Sequence, residues 1–173
     1  MSESESVVAL LDALDSHTGL FGPDDPRSLR VVHKLAIALW SAGDLDQAVS
    51  LLDQALDRLT SSLGPDHPNS LAAKGDLAAV LFEIGQDEKA GPLEREAFES
   101  ARAKLGKAHS VTCVLAWNRA LNYERRGDLD SARKVFVDEL LWLLAEDPAC
   151  LEEDQNIVRS MLAERLFLDG PPS

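Results

Sequence analysis

The side chains that could perform chemistry in this sequence include three clusters of carboxylates, at Asp24-Asp25, Asp87-Glu88 and 152–154. Each cluster lies where a helix is predicted to begin. Negative charge at a helix start is stabilised by the helix dipole and by the backbone N–H groups that have no partner there. We therefore expect these carboxylates to cap helices rather than to bind a metal or to act as an acid–base pair.

The four histidines show no ligand spacing. His67 and His109 occupy equivalent positions in two similar segments, so we expect each of them to start a helix. His17 and His33 belong to different predicted helices. No metal site is predicted from them.

Nucleophile and cofactor signatures do not occur in the sequence. Cys113 and Cys150 form no C-x-x-C pair, and they are expected to be reduced thiols, with Cys113 in the core. There is no G-x-S-x-G, P-loop, G-x-G-x-x-G or H-E-x-x-H motif. We therefore expect no catalytic residues, no cofactor and no enzymatic activity.

The charge of the chain restricts its partners. It has 17 Lys and Arg against 30 Asp and Glu, a net charge of −13. Nucleic acids and anionic membranes are bound through clustered Lys and Arg, so neither partner is expected. The first residues are acidic, unlike those of a signal peptide, and no segment reaches the ~18 apolar residues of a membrane helix. A cytoplasmic location is predicted.

The chain repeats itself with a period of 42 residues. Residues 22–29 read GPDDPRSL, residues 64–71 read GPDHPNSL, and residues 106–113 read GKAHSVTC, a diverged copy. Gly43, Gly85 and Gly127 keep the same spacing. The prediction is one repeat domain over 1–173, with repeats at 22–63, 64–105 and 106–147, a half-repeat at 5–21 and a terminal helix at 150–168.

The sequence pattern of each repeat predicts two antiparallel helices. Pro26 and Pro68 suit the first turn of a helix, because the missing proline N–H would have no partner there. Apolar residues then follow at steps of three and four. Gly43 is expected to end the first helix in the left-handed conformation, and Asp44 is expected to cap the second. About eight helices and an all-α fold are predicted.

Helix–Gly turn–helix units with this linker resemble tetratricopeptide repeats of the long, kinesin light chain-like type. The resemblance covers roughly residues 5–168 and implies a right-handed α-solenoid that binds proteins. The third repeat departs from the pattern, since Lys107-Ala108 replaces Pro-Asp and Arg119 replaces a leucine that packs between helices. Looser helix packing is expected there.

The resemblance also implies that the first helix of each repeat lines a concave groove. These helices are nearly neutral in sum, whereas the second helices carry most of the acidity. Trp40 and Phe82 are 42 residues apart, and Phe167 has the matching place in the last helix. The predicted binding residues are Arg30, His33, Lys34, Ile37, Trp40, Lys74, Gly75, Ala79, Phe82, Trp117, Leu121, Glu124 and Arg125. The alternative is that the aromatic side chains pack between repeats as core.

The predicted function is that of a non-enzymatic interaction module, which holds a protein or peptide segment with large apolar residues in the groove. Arg30, Lys34 and Arg125 would orient a mildly acidic segment. One alternative is an accessory protein of a biosynthetic or regulatory system that binds a small molecule, or catalyses a step, near His33, Trp117 and Arg125. Another is a homodimer formed through the same surface.

Overall fold

The computed structural model describes the backbone of residues 3–168 and the side chains of residues 6–166. Phe167 lies outside the described side chains. The regular secondary structure of the described chain is entirely helical, with no β-strand, as predicted. Its helices are α1 Glu3–Phe21, α2 Pro26–Ser41, α3 Leu45–Leu63, α4 Pro68–Glu83, α5 Asp87–Lys104, α6 Ser110–Arg125, α7 Leu129–Val135 and α8 Glu153–Leu168. No helix in this range is long and apolar enough to cross a membrane.

Glycine ends the first helix of each repeat. Gly43, Gly85 and Gly127 have φ of 82°, 78° and 78°, which is the left-handed region that other residues avoid. Asp44 then caps α3 by accepting a hydrogen bond from the Gln47 N–H at 3.3 Å. The predicted turns are therefore confirmed.

The starts of α2, α4 and α6 are capped in the same way by three different residues. Asp25 accepts from the Arg27 N–H at 2.9 Å. His67 Nδ1 and His109 Nδ1 accept from the N–H groups two residues later, at 3.2 and 3.1 Å. The histidines therefore start helices, as predicted, and their Nδ1 atoms are engaged by backbone N–H groups.

The chain divides into two compact units, and the boundary falls inside α5. Unit 1 is Met1–Ala97 and unit 2 is Phe98–Ser173. In unit 1, α2 packs against α1, α3 and α4, and α3 packs against α4. Leu29, Leu52 and Val80 are fully buried in its core. The prediction of a single repeat domain over 1–173 stays a prediction.

Unit 2 is built around α6, which packs against α7 and α8. Its core contains Cys113, Trp117, Leu140, Val158 and Leu162. The terminal helix predicted at 150–168 begins instead at Glu153, after a short 3₁₀ turn at Pro148–Cys150.

The second helix of the third repeat is not a regular α-helix over its whole length. After α7 the chain forms a π-helical turn, Phe136–Leu140, and then a 3₁₀ turn, Leu141–Leu144. Several backbone carbonyl groups of this segment accept hydrogen bonds from side chains. Trp142 Nε1 donates to the Glu139 carbonyl at 2.8 Å, Arg159 Nε donates to the Leu143 carbonyl at 3.1 Å, and Lys107 Nζ donates to the Asp138 carbonyl. These hydrogen bonds stabilise carbonyls that a regular helix would pair internally.

Candidate functional site

One face of unit 1 carries two polar links between α2 and α4. His33 Nε2 and Asp76 Oδ2 are 2.7 Å apart, and Trp40 Nε1 donates to Glu83 Oε2 at 2.5 Å. On each helix the two residues are seven apart, about two turns, so they lie on the same side. We call this surface the α2–α4 face, and its members are His33, Ile37, Trp40, Asp76, Ala79 and Glu83.

Apolar surface lies between the two links. Ile37 and Trp40 are half-buried, and Ala79 of α4 is half-buried too. Ile37 and Trp40 pack with one part of their side chains against the core of unit 1. The remaining part of each side chain is accessible to a partner.

Two cations lie on the same helix. Arg30 and Lys34 are exposed and are one turn apart on α2. Neither makes an ion pair with another residue of the described range. Their positive charge is therefore available in a chain whose net charge is strongly negative.

Lys74 and Gly75, which were expected to face the groove, are buried. Lys74 is 8% exposed, and its Nζ donates to Glu96 Oε1 at 2.7 Å. This ion pair ties α4 to α5, so the ammonium is occupied inside unit 1. The expected direct contact of Lys74 with a partner is therefore not supported by its position.

Phe82 was expected to be an accessible aromatic side chain in the groove, but it is buried. Its side chain is 3% exposed and belongs to the core of unit 1. Trp40 has the equivalent position in the repeat but keeps its indole N–H at the surface on Glu83. A phenyl ring has no polar atom, so complete burial is favourable for it.

Trp117 is a core residue of unit 2. Its side chain is 8% exposed and packs against Phe136 with the ring centroids 5.4 Å apart. Leu121 is half-buried beside the same core. The alternative interpretation of the aromatics, as core, therefore describes Trp117 and Phe82, whereas Trp40 stays accessible.

Glu124 and Arg125 complete the predicted set. Glu124 forms an ion pair with Arg165 of α8, and Arg165 Nε donates to Glu124 Oε1 at 3.2 Å. Arg125 is exposed near the end of α6. These residues, like Trp117 and Leu121, belong to unit 2, and their grouping with the α2–α4 face in one groove stays a prediction.

Asp76 and Glu83 are not among the residues predicted from the sequence. Their signal was a spacing of 43 from His33 and Trp40, one more than the repeat. A residue on the first helix of one repeat contacts the residue 43 positions later, on the first helix of the next repeat. This spacing becomes apparent only after the first helices of the two repeats are aligned.

The described residues contain no group of three or more His, Cys, Asp or Glu side chains that could hold a metal ion. Cys113 is buried, and burial raises the pKa of its thiol to about 11. The thiol is therefore protonated near neutral pH and is a poor nucleophile. This agrees with the expectation that Cys113 belongs to the core.

The family model for the tetratricopeptide repeat matches residues 28–103. No curated protein sequence matches the chain.

Solved structures resemble it over nearly its whole length. A protein of Podosopora anserina with nearly identical, kinesin light chain TPR-like repeats is 21% identical, with a TM-score of 0.66, covering 97% of this chain and 79% of that chain. A variant of the same protein is 21% identical with a TM-score of 0.67 and the same coverage. BtubC (BKLC) from P. vanneervenii is 16% identical with a TM-score of 0.70, covering 99% of this chain and 76% of that chain. At sequence identities of 16–21%, the structural similarity establishes the fold alone.

Proposed function

We propose that this chain, of which residues 28–103 match the tetratricopeptide repeat, is a non-enzymatic interaction module whose α2–α4 face binds a segment of a partner protein. Repeats of this kind generally bind proteins. The face is the part of the predicted groove that unit 1 supplies.

The observation that carries the proposal is the combination of charge and apolar surface on α2. Arg30 and Lys34 are exposed and make no ion pair in the described range, and Ile37 and Trp40 on the same helix are half-buried. An aromatic side chain with accessible surface beside cations is a common centre of binding energy. The partner segment would carry a large apolar residue and a mild negative charge.

The hydrogen bond of Trp40 contributes to this role. Because its indole N–H is held by Glu83 Oε2, the ring has a preferred orientation before a partner arrives. Ordering a side chain in advance lowers the entropy lost on binding. The His33–Asp76 link holds α2 and α4 together in the same way.

The test compares proteins captured from the native lysate by the wild type, by Trp40→Ala and by Arg30→Ala/Lys34→Ala. Lys89→Ala/Arg95→Ala, which removes two exposed cations from α5, is the matched control. Truncating a central aromatic typically costs about 2 kcal/mol or more of binding free energy. We expect Trp40→Ala to lose the partner without losing helix content, and the cation variant to weaken binding in a salt-dependent way.

Two results would contradict the proposal. One is capture of the same proteins, equally well, by Trp40→Ala. The other is a purified partner that binds the wild type without changing the fluorescence of Trp40, measured in a variant whose other two tryptophans are replaced by phenylalanine.

The small-molecule alternative in the groove gains no support from the residues named for it. His33 is engaged by Asp76, and Trp117 is buried in the core of unit 2. The cytoplasmic location and the homodimer stay predictions.

A further inference from the structure

The third repeat carries charged residues at two packing positions of the repeat. Arg119 stands where the first two repeats have Leu35 and Leu77, which are 3% and 4% exposed. Glu139 stands where they have Ala55 and Ala97, which are completely buried. Each substitution exchanges an apolar side chain between packed helices for a charged one.

A cavity of about 320 Å³ in unit 2 is lined by both of these residues. The residues that define its chemistry are Phe98, Arg119, Tyr123, Lys134, Asp138 and Glu139. Cavities of this size bind small ligands in other proteins. Charged groups at packing positions are unfavourable for stability, and such departures from a regular pattern occur mostly at functional sites.

Arg119 is held in place on one side of the cavity. Its guanidinium lies 4.9 Å from the ring centroid of Phe98 and 5.6 Å from that of Tyr123, and its Nη2 donates to the Tyr123 hydroxyl at 3.2 Å. A planar guanidinium stacked on rings is suited to bind a carboxylate. Lys134, exposed on α7, adds a second positive charge to the lining.

The π-helical turn supplies the negative charges. Asp138 and Glu139 both belong to it and both line the cavity. Glu139 Oε2 is fixed by Arg102 Nε at 2.8 Å, and the Asp138 carbonyl accepts from Lys107. π-Helical turns interrupt α-helices frequently at functional sites. The cavity therefore presents two cations and two carboxylates within one small volume.

We propose that this cavity binds a small zwitterion, namely an amino acid with an apolar side chain. Arg119 and Lys134 contact its carboxylate. Asp138 and Glu139 contact its ammonium group. Phe98 and Val135, which also lines the cavity, contact its side chain. The site lies within unit 2 and is independent of the function proposed for the α2–α4 face.

The ligand class is tested by calorimetric and NMR titration of the full chain with L-leucine, L-methionine and L-phenylalanine. Two analogues of phenylalanine carry one charge each: 3-phenylpropionate lacks the ammonium group, and phenethylamine lacks the carboxylate. We expect at least one amino acid to bind and to shift the amide resonances of the cavity residues. We also expect phenylalanine to bind at least about tenfold more tightly than either analogue. Absence of binding by all three amino acids up to about 10 mM, or equal binding of the analogues, would overturn the proposal.

The roles of Arg119 and Asp138 in binding are tested by substitution, and the Arg119 variant restores the leucine of the other repeats. Arg119→Leu puts back the leucine of the other two repeats, so it should keep or raise the thermal stability while weakening amino-acid binding at least about tenfold. Asp138→Asn, at an exposed position, should weaken binding without changing stability. Arg133→Ala, an exposed neighbour that does not line the cavity, is the control and should bind as the wild type does. Binding unchanged in both Arg119→Leu and Asp138→Asn would overturn the assignment.

Discussion

Among single residues, the two cysteines show most directly how environment decides chemistry. Cys113 is buried and Cys150 is exposed, and neither forms a disulfide. Burial raises the pKa of Cys113 to about 11 from an ordinary value of 9.0, because the thiolate would be poorly solvated in the core. At the half-buried N-cap residue Asp25 the pKa is shifted in the opposite direction. Hydrogen bonds from Arg27 lower the pKa of this carboxyl to about 2.

We expect iodoacetamide to modify Cys150 and to leave Cys113 unmodified in the folded protein at pH 8, with both modified in denaturant. Because the pKa of Cys113 is higher in the folded state, its contribution to stability is complete below pH 9 and is lost as the pH rises through about 11. Mass spectrometry of the labelled protein measures the first effect. Denaturant unfolding of the wild type and Cys113→Ala between pH 8 and 11 measures the second. Labelling of Cys113 as fast as Cys150 would show that the core of unit 2 opens readily.

Single helices in this chain are positioned by small residues as much as by large ones. Ala78 of α4 and Ala120 of α6 are fully buried at equivalent places in their repeats. A methyl group there permits close approach of the neighbouring helix, and a larger side chain would push the backbones apart.

Ala78→Leu and Ala120→Leu should each lower the free energy of unfolding by about 1–3 kcal/mol, because overpacking forces the helices to shift. The exposed substitution Asp53→Asn on α3 is the control and should change it by less than about 0.5 kcal/mol. Chemical denaturation followed by circular dichroism at 222 nm measures all three. Small and equal effects would mean that the alanine positions do not set the helix spacing.

Across the whole molecule, burial is distributed unevenly along the chain. In unit 1, α4 buries residues on nearly all of its sides, whereas α1 packs against α2 and exposes Val8, Leu11 and Leu20. A helix enclosed by neighbours opens only when the surrounding structure unfolds, whereas a terminal helix can open by itself.

Native-state hydrogen exchange should therefore show amides of α4 exchanging with a free energy close to that of global unfolding. Amides of α1 should exchange with a much smaller free energy. The same experiment at increasing denaturant separates local opening from global unfolding. Equal protection of the two helices would indicate that α1 is as firmly integrated as α4.

The sequence by itself determined the period, the all-α fold of eight helices and the turns at which the first helices of the repeats end. The reason is that the signals are local: the proline and N-cap residues at 25–26 and 67–68, the left-handed glycines such as Gly43, and the three–four spacing of apolar residues act within one helix or turn.

Only the tertiary structure decided which of the repeat-equivalent side chains are available. Phe82 and Lys74 are buried because neighbouring helices cover them and Glu96 pairs with the ammonium, and neither effect is encoded in local spacing. The π-helical turn and the 3₁₀ turn after it accept hydrogen bonds from distant segments, from Lys107 to the Asp138 carbonyl and from Arg159 to the Leu143 carbonyl. Periodicity reports which face of a helix is apolar, but the contacts that close a core or open a cavity join residues far apart in the chain.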